Sequence, residues 1–146
     1  MTETEFKKRT AVFAVAAIEF VETLPRGSST RVLGKQLLRC ATSVGANYRS
    51  ACNARSRSEM KSKMNIALEE ADESIYWIEL LVRSGFVTKH EARDLAIEAK
   101  EIAAMLASSV ITLAKARVVK EPSQDYDGTR LHGEDECFFD LTENDE

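Results

Sequence analysis

The sequence has few of the residues from which catalytic and metal centres are usually built. It contains two histidines, His90 and His132, and three cysteines, Cys40, Cys52 and Cys137. The cysteines have no paired spacing, and an odd number on helical stretches is typical of reduced thiols rather than of a disulfide framework. We therefore expect a cytoplasmic protein.

The scarcity of histidine also limits cofactor chemistry. A two-iron carboxylate site in a helical bundle needs Glu-x-x-His pairs, but Val87 and Thr129 stand three residues before the two histidines. Cys40 and Cys52 lie 12 residues apart with no histidine nearby, which disfavours zinc. No phosphate-cradling loop, dinucleotide fingerprint or Gly-x-Ser-x-Gly motif occurs. These absences predict no metal, no cofactor and no enzymatic activity.

Long apolar runs and strand patterns are missing too. No run approaches the roughly 18 apolar residues of a membrane-spanning helix, and the acidic start of the chain does not resemble a secretory signal. β-branched residues are few in the central part, without an alternating period. A hydrophobic content of 44% and a charged content of 30% are typical of one soluble domain with a real core.

Charge divides the chain into two regions. Residues 1–120 hold 14 acidic and 19 basic residues, a formal charge of +5. Residues 121–146 hold ten acidic residues and only Arg130, a formal charge of -9. This pattern predicts a mildly basic helical domain over 1–120 and an acidic, mostly disordered tail over 121–146. The apolar patch of that tail, residues 137–141, is either poorly ordered or a peptide that docks onto the basic domain or a partner protein.

Helical periodicity accounts for the first half of the domain. A first helix is predicted from about Glu5 to Leu24, ended by Pro25-Arg26-Gly27. A second is predicted from about Thr30 to Asn53, capped by Ser28 or Ser29. Within the second helix a run of small residues leads to an amide and an aromatic, Ala41-Thr42-Ser43-Val44-Gly45-Ala46-Asn47-Tyr48. Gly45 costs roughly 1 kcal/mol of helix propensity relative to alanine, which indicates close approach of a neighbouring backbone or a local bend.

Two further helices complete the pattern. The third begins near Arg57, after a capping box of Ser56 and Glu59, and ends at Gly85 as a left-handed residue. Thr88 caps the fourth helix with Glu91 as its capping-box partner, and that helix frays near residues 117–120. Four long helices with short connections predict an all-α, up-down antiparallel four-helix bundle.

A basic strip is the candidate for nucleic-acid binding. Between positions 31 and 63 there are eight basic residues and a single acidic residue, Glu59. Such a strip attracts polyphosphate through counterion release, without sequence readout, because aromatic residues for base stacking are missing from it. The alternatives are a solvated helix face and binding to an acidic protein. The strip consists of Arg31, Lys35, Arg39, Arg49, Arg55, Arg57, Lys61 and Lys63.

The third helix is predicted to be apolar on two sides, and its second side is the candidate oligomer interface. We interpret Trp77 on this side as a buried anchor between copies, with Glu70 and Glu73 at the rim. The carboxylate cluster of Glu69, Glu70, Asp72 and Glu73 is interpreted as solvated or paired with basic residues of a neighbouring helix or subunit. The candidate interface consists of Ile66, Glu70, Glu73, Trp77, Leu80 and Leu81.

Several of these segments resemble the four-helix bundle proteins of the 23S rRNA intervening-sequence family. The resemblance covers about residues 6–118 and is carried by residues 41–49, the basic connection to Glu59, and the stretch from Glu70 to Leu81. Its first members were found encoded in insertions within bacterial large-subunit rRNA genes. Many members continue the asparagine motif with Glu-Gly, where this chain has Ser50-Ala51.

The resemblance implies an up-down bundle that assembles as a homopentamer, and it brings no catalytic residues. One relative is the accessory protein of diversity-generating retroelements, a basic pentamer that works with a reverse transcriptase and nucleic acid. We accordingly expect an oligomeric scaffold or adaptor, with RNA, DNA or a nucleic-acid enzyme as a partner and no membrane association. The alternative is a protein-binding module whose acidic C-terminal tail recognises a protein partner.

Overall fold

The protein is described by a computed structural model over residues 1–118, which form four helices and, in this range, no strand. Connections of four or five residues join the helices, so neighbours in sequence run antiparallel and the fold is an up-down four-helix bundle. The predicted acidic tail lies outside the described residues. The helices are α1 (Glu3–Glu22), α2 (Ser28–Cys52), α3 (Arg57–Arg83) and α4 (Lys89–Val118).

The ends of α3 and α4 follow the local signals in the sequence. The Ser56 hydroxyl accepts a hydrogen bond from the Glu59 amide at 3.1 Å, and the Glu59 carboxylate accepts one from the Arg55 amide at 2.9 Å. At the start of α4, Thr88 and Glu91 form a reciprocal capping box. The Ser56 and Thr88 hydroxyls thus satisfy the Glu59 and Glu91 amides, which the first helical turns leave without partners. At α3 the predicted capping box is only half formed, because the Glu59 carboxylate binds the amide of Arg55 and not that of the N-cap residue Ser56.

Gly85 ends α3 in the left-handed conformation predicted from the sequence. Its φ angle is 72°, which costs glycine little because it has no Cβ. The Gly85 amide donates to the carbonyl of Val82 at 2.9 Å, and the Phe86 amide donates to the carbonyl of Leu81 at 3.1 Å. This pair of bonds is a Schellman motif, which turns the chain towards α4.

The predicted serine cap of α2 is wrong. Gly27 is the N-cap residue, and no side chain caps the helix. Ser28 and Ser29 instead lie inside the first turn. The buried Thr30 hydroxyl donates to the carbonyl oxygens of Pro25 and Gly27, at 2.7 and 3.1 Å, and so holds the α1–α2 connection against the helix.

The core is formed by the apolar stripes that helical periodicity predicts. On α1, Phe6 and Phe13 are buried, and Phe20 is partly buried and packs against the core. Phe6 also meets Tyr48 of α2 edge to face, with ring centroids 4.5 Å apart. The largest completely buried side chains on the other helices are Leu37, Val44, Ile78, Leu81, Ile102 and Leu106.

The α3 helix occupies the central position in the packing. It contacts α2 along one side and α4 along the other, whereas α1 contacts α2 extensively and α4 only sparsely. Along the α1–α4 seam, Arg9 joins the helices through hydrogen bonds to Glu98 at 2.6 and 2.8 Å and through a further bond to Glu101. A helix packed between two neighbours buries two sides, so much of the apolar pattern of α3 is covered within one chain.

Gly45 marks a close approach of α1 to α2. A Cβ atom at this position would lie 3.1 Å from the hydroxyl oxygen of Thr10 and 3.4 Å from its Cβ. Thr10 is completely buried, and its hydroxyl donates to the carbonyl of Lys7 at 3.1 Å. Of the two sequence-based interpretations, close approach is the one that the packing supports.

In the part of the chain that the structure describes, no helix is long and apolar enough to cross a membrane.

Candidate nucleic-acid interface

The eight residues of the predicted basic strip run along α2 and around the α2–α3 connection onto α3. Because α2 spans the length of the bundle, its first and last residues lie at opposite ends. Arg31 and Lys35 therefore lie near the α1–α2 connection, while Arg55 and Arg57 lie at the other end. The strip is divided into two basic regions and is not one continuous patch.

At the α1–α2 end, Arg31 and Lys35 line an open cavity of about 340 Å³ together with Arg26, which does not belong to the predicted strip. Val21, Leu24 and Leu38 supply apolar lining. None of the three cationic side chains makes an ion pair within residues 1–118. Arg26 lies near the other two because the chain turns between α1 and α2. The spacing of basic residues along α2 alone does not reveal this.

At the opposite end, Arg55 and Arg57 line a second open cavity, of about 370 Å³. Met60 of α3 and Leu113 of α4 form its apolar part. We call this cavity the connection groove, lined by Ala54, Arg55, Ser56, Arg57, Met60 and Leu113. Neither arginine side chain is paired with a carboxylate of the described chain, so both positive charges remain available to an anionic partner.

Arg39, in the middle of the strip, is engaged within the chain. Its guanidinium donates to both carboxylate oxygens of Glu70 at 3.1 Å and to Glu73 at 2.7 Å. These bonds raise the pKa of Arg39, with that to Glu73 as the largest cause. The guanidinium also holds the pKa of Glu73 below its ordinary value of 4.5. Two carboxylates compensate the Arg39 charge, which makes it a poor candidate for binding phosphate.

The same bonds place a thiol and two carboxylates together. One ligand atom each from Cys40, Glu70 and Glu73 lies within 4.8 Å of the others. Burial raises the pKa of the Cys40 thiol to about 12, although metals bind the thiolate. The Arg39 guanidinium already uses the carboxylates. This arrangement therefore fits an internal ion pair better than a metal site.

Most of the predicted oligomer interface is used inside the bundle. Leu81 is completely buried in the core of its own chain, so its assignment to an interface between copies is wrong. Glu70 and Glu73 bind Arg39. Ile66 and Leu80 are half-buried, and Trp77 packs against the core.

Trp77 retains one unusual property. Its indole Nε1 is buried but has no hydrogen-bond partner of ordinary geometry in the described residues. The proximity of this N–H contributes slightly to the lowered pKa of Glu73. Tyr76 lies against the indole edge to face, with ring centroids 5.0 Å apart, and is itself exposed. The Trp77 ring therefore packs within its own chain, and its contact with another copy stays a prediction.

An exposed apolar stripe lies on α1, a helix for which the sequence predicts no interface. Val12, Val15 and Ile18 are 60%, 53% and 44% exposed. They follow one another at three-residue steps and so share one side of the helix. This side is opposite the buried stripe of Phe6 and Phe13. That phenylalanine stripe is the one from which the sequence predicts the core side of α1.

Fold and surface together define a small antiparallel helical bundle with two basic end regions and an apolar outer side on α1. A model of the 23S rRNA-intervening sequence protein family matches residues 2–108, so the chain belongs to that family. No curated protein matches the chain.

A related crystal structure supports the fold. It is that of a protein with unknown function from the S23 ribosomal protein family of Bacteroides thetaiotaomicron VPI-5482. The two chains are 36% identical with a TM-score of 0.70, and the match covers 75% of this chain and 98% of the other. The matched region has the size of the bundle, so the relative has almost no chain beyond it.

Proposed function

We propose that the protein is a non-enzymatic scaffold or adaptor that assembles with copies of itself in the cytoplasm and binds RNA or DNA through its two basic end regions. The observation that carries this proposal is the difference in pairing along the strip. Arg39 is compensated by two carboxylates, whereas the other seven strip residues make no ion pair within residues 1–118.

Unpaired surface cations favour a polyanion for a physical reason. Each phosphate that they neutralise releases condensed counterions from the nucleic acid, so affinity is high at low salt and falls steeply as salt is added. Self-assembly would repeat the two basic regions around a symmetry axis and raise the local positive potential. The resemblance to homopentameric relatives and the exposed apolar side of α1 support the assembly.

The absence of catalysis is part of the proposal. Among the described residues, the only close cluster of potential metal ligands is that of Cys40, Glu70 and Glu73, and Arg39 occupies its carboxylates. Binding without sequence-specific readout is expected, because phosphate contacts carry no sequence information and the strip has no aromatic residues on which bases could stack.

Salt-titrated binding to fluorescent RNA and DNA oligonucleotides tests the proposal. We expect the logarithm of the association constant to fall linearly with the logarithm of salt concentration. The double variant Arg55→Ser/Arg57→Ser should reduce the slope by about one for each phosphate that is no longer neutralised. Arg93→Ser, an exposed cation on α4 outside the strip, is the control and should leave the slope nearly unchanged. Affinity that is absent at low salt, or an equal decrease in all variants, would contradict the proposal.

A further inference from the structure

The connection groove combines two kinds of surface that a nucleic acid does not need together. Arg55 and Arg57 offer guanidinium groups, which bind carboxylates and phosphates alike. Met60 and Leu113 offer apolar surface beside them. A phosphate backbone has no apolar group that could pack on this surface. An acidic peptide with apolar side chains would use both parts of the groove.

The chain itself contains one such peptide. Residues 134–141 read Glu-Asp-Glu-Cys-Phe-Phe-Asp-Leu, with two adjacent phenylalanines between carboxylates. They belong to the segment of -9 formal charge that follows the bundle. We propose that the C-terminal segment 119–146 binds the connection groove of its own chain, with Phe138 and Phe139 on Met60 and Leu113 and with neighbouring carboxylates on Arg55 and Arg57.

The place where the segment begins favours this groove over the other cavities. Val118, the last described residue, follows Leu113 by five residues, which is about 8 Å along a helix axis. The 18 residues from 119 to 136 can span at most about 60 Å. Tethering thus gives the peptide a high local concentration at the end of the bundle where the groove lies.

Charge complementarity separates the groove from its competitors. An open cavity of about 480 Å³ at the same end is lined by Phe6, Tyr48 and Met105 but by no lysine or arginine. The cavity with Arg26, Arg31 and Lys35 is cationic, but it lies at the other end of the bundle. The acidic residue closest to the groove in sequence, Glu59, already accepts a hydrogen bond from the Arg55 amide.

Docking would regulate the surface that we propose for nucleic acid. A tail bound to Arg55 and Arg57 competes with phosphates for the same guanidinium groups, so nucleic acid would have to displace it. This regulatory consequence rests on the proposed function, but the docking itself does not.

Disulfide trapping in the full-length chain tests the docking directly. In a Cys52→Ser background, Ser58→Cys places a thiol on the second residue of α3, beside the groove. Ser29→Cys places one on the second residue of α2, at the opposite end, and controls for the exposure of the thiol because both serines are exposed. Under mild oxidation we expect Cys137 to form an intramolecular disulfide several-fold faster with the thiol at position 58 than with that at position 29.

A second variant tests whether the two phenylalanines bind the groove. Because the tether alone keeps Cys137 closer to position 58 than to position 29, the deciding comparison is made within the Ser58→Cys chain, where Phe138→Ala/Phe139→Ala should reduce the trapping rate several-fold. Equal rates at positions 58 and 29, or disulfides formed only between two copies, would overturn docking within the chain. Trapping at position 58 that is unaffected by the double alanine variant would reflect the tether alone and would overturn the docking.

Nucleic-acid binding is measured separately on the chain ending at residue 118, a length that the related bundle structure supports as a folding unit. Removal of residues 119–146 should raise low-salt affinity for a short RNA several-fold. If the truncated chain binds no RNA while the full-length chain still shows phenylalanine-dependent trapping at position 58, the proposed function fails and the docking stands. If trapping shows no preference, the docking fails whatever the RNA result.

Discussion

Single atoms decide how closely α1 and α2 approach each other. Glycine at position 45 leaves space that the buried Thr10 side chain fills. Threonine is branched at Cβ and its rotamer is restricted, so it cannot move far to admit another methyl group. Glycine in a helix carries a cost in propensity, and the packing explains why that cost is tolerated here.

We expect Gly45→Ala to destabilise the bundle. The substitution gains about 1 kcal/mol of helix propensity, but forcing a methyl group into a packed site costs about 1 to 3 kcal/mol. The net change in the free energy of unfolding should be a loss of up to about 2 kcal/mol, measured by urea denaturation.

A Thr10→Ala background provides the control for that prediction. Without the Thr10 hydroxyl and methyl groups, the helix-propensity gain is no longer opposed, and Gly45→Ala should become neutral or stabilising. The double-mutant cycle would then show a favourable coupling between the two alanines. If Gly45→Ala is equally destabilising in both backgrounds, the contact with Thr10 is not the reason for glycine.

The ion pairs of Arg39 could not be predicted from its position in the sequence. The basic strip was defined by sign and spacing, which do not reveal whether a carboxylate lies opposite. Glu70 follows Arg39 by 31 residues and reaches it only because α2 and α3 run antiparallel. The sequence predicts that the acidic cluster is solvated or paired with basic residues of a neighbouring helix or subunit, and Glu70 and Glu73 pair with Arg39 of the neighbouring helix.

Between elements, the Arg39 contacts fasten α2 to α3 and make that junction sensitive to acid. The Arg39 hydrogen bond is the largest cause of the lowered Glu73 pKa. A carboxyl whose pKa is lowered by folding adds stability that is complete above its unfolded value. That stability is lost as pH falls through the folded value, because protonation then breaks the ion pair.

We therefore expect Glu73→Gln to lower Tm at neutral pH and to have little effect well below pH 4.5. The side chain is 41% exposed, and solvent screening makes exposed pairs weak, so the neutral-pH decrease should be on the order of 2 °C. Melting curves followed by circular dichroism measure it. Glu79→Gln on the same helix is the control, since Glu79 makes no ion pair within residues 1–118. A Tm difference that persists unchanged in acid would contradict this account.

Helix boundaries were the most predictable feature at the scale of elements. Gly85, Thr88 and the Ser56 region carry their signals within a few residues, and the helices begin and end within about two residues of the predicted positions. The start of α2 is the exception, because its position is predicted correctly but its capping residue is not. Two serines next to the boundary suggested a side-chain cap, but the helix already includes them, starting at Ser28 with Gly27 as the uncapped N-cap.

At the scale of the whole molecule, periodicity predicted which sides of the helices are apolar but not what covers them. The sequence predicts that another copy covers the second apolar side of α3, because one chain would find two opposite apolar sides hard to bury. The observed α3 contacts both α2 and α4, so most of that side is covered internally. Conversely, Val12, Val15 and Ile18 are exposed on the outer side of α1. The local sequence pattern does not show whether these apolar residues face the core or the solvent.

Two variants test which of these surfaces forms the proposed interface between copies. We expect the wild type to have the mass of five 16.3 kDa chains in light scattering. Val15→Lys should shift the mass towards that of a single chain while helix content and Tm are retained. A charge at an exposed position costs the isolated bundle little, but burying it between copies is expensive. Trp77→Arg should instead lower Tm, because Trp77 packs against the core. Dissociation of a fully folded Trp77→Arg chain, with Val15→Lys still assembled, would restore α3 as the interface.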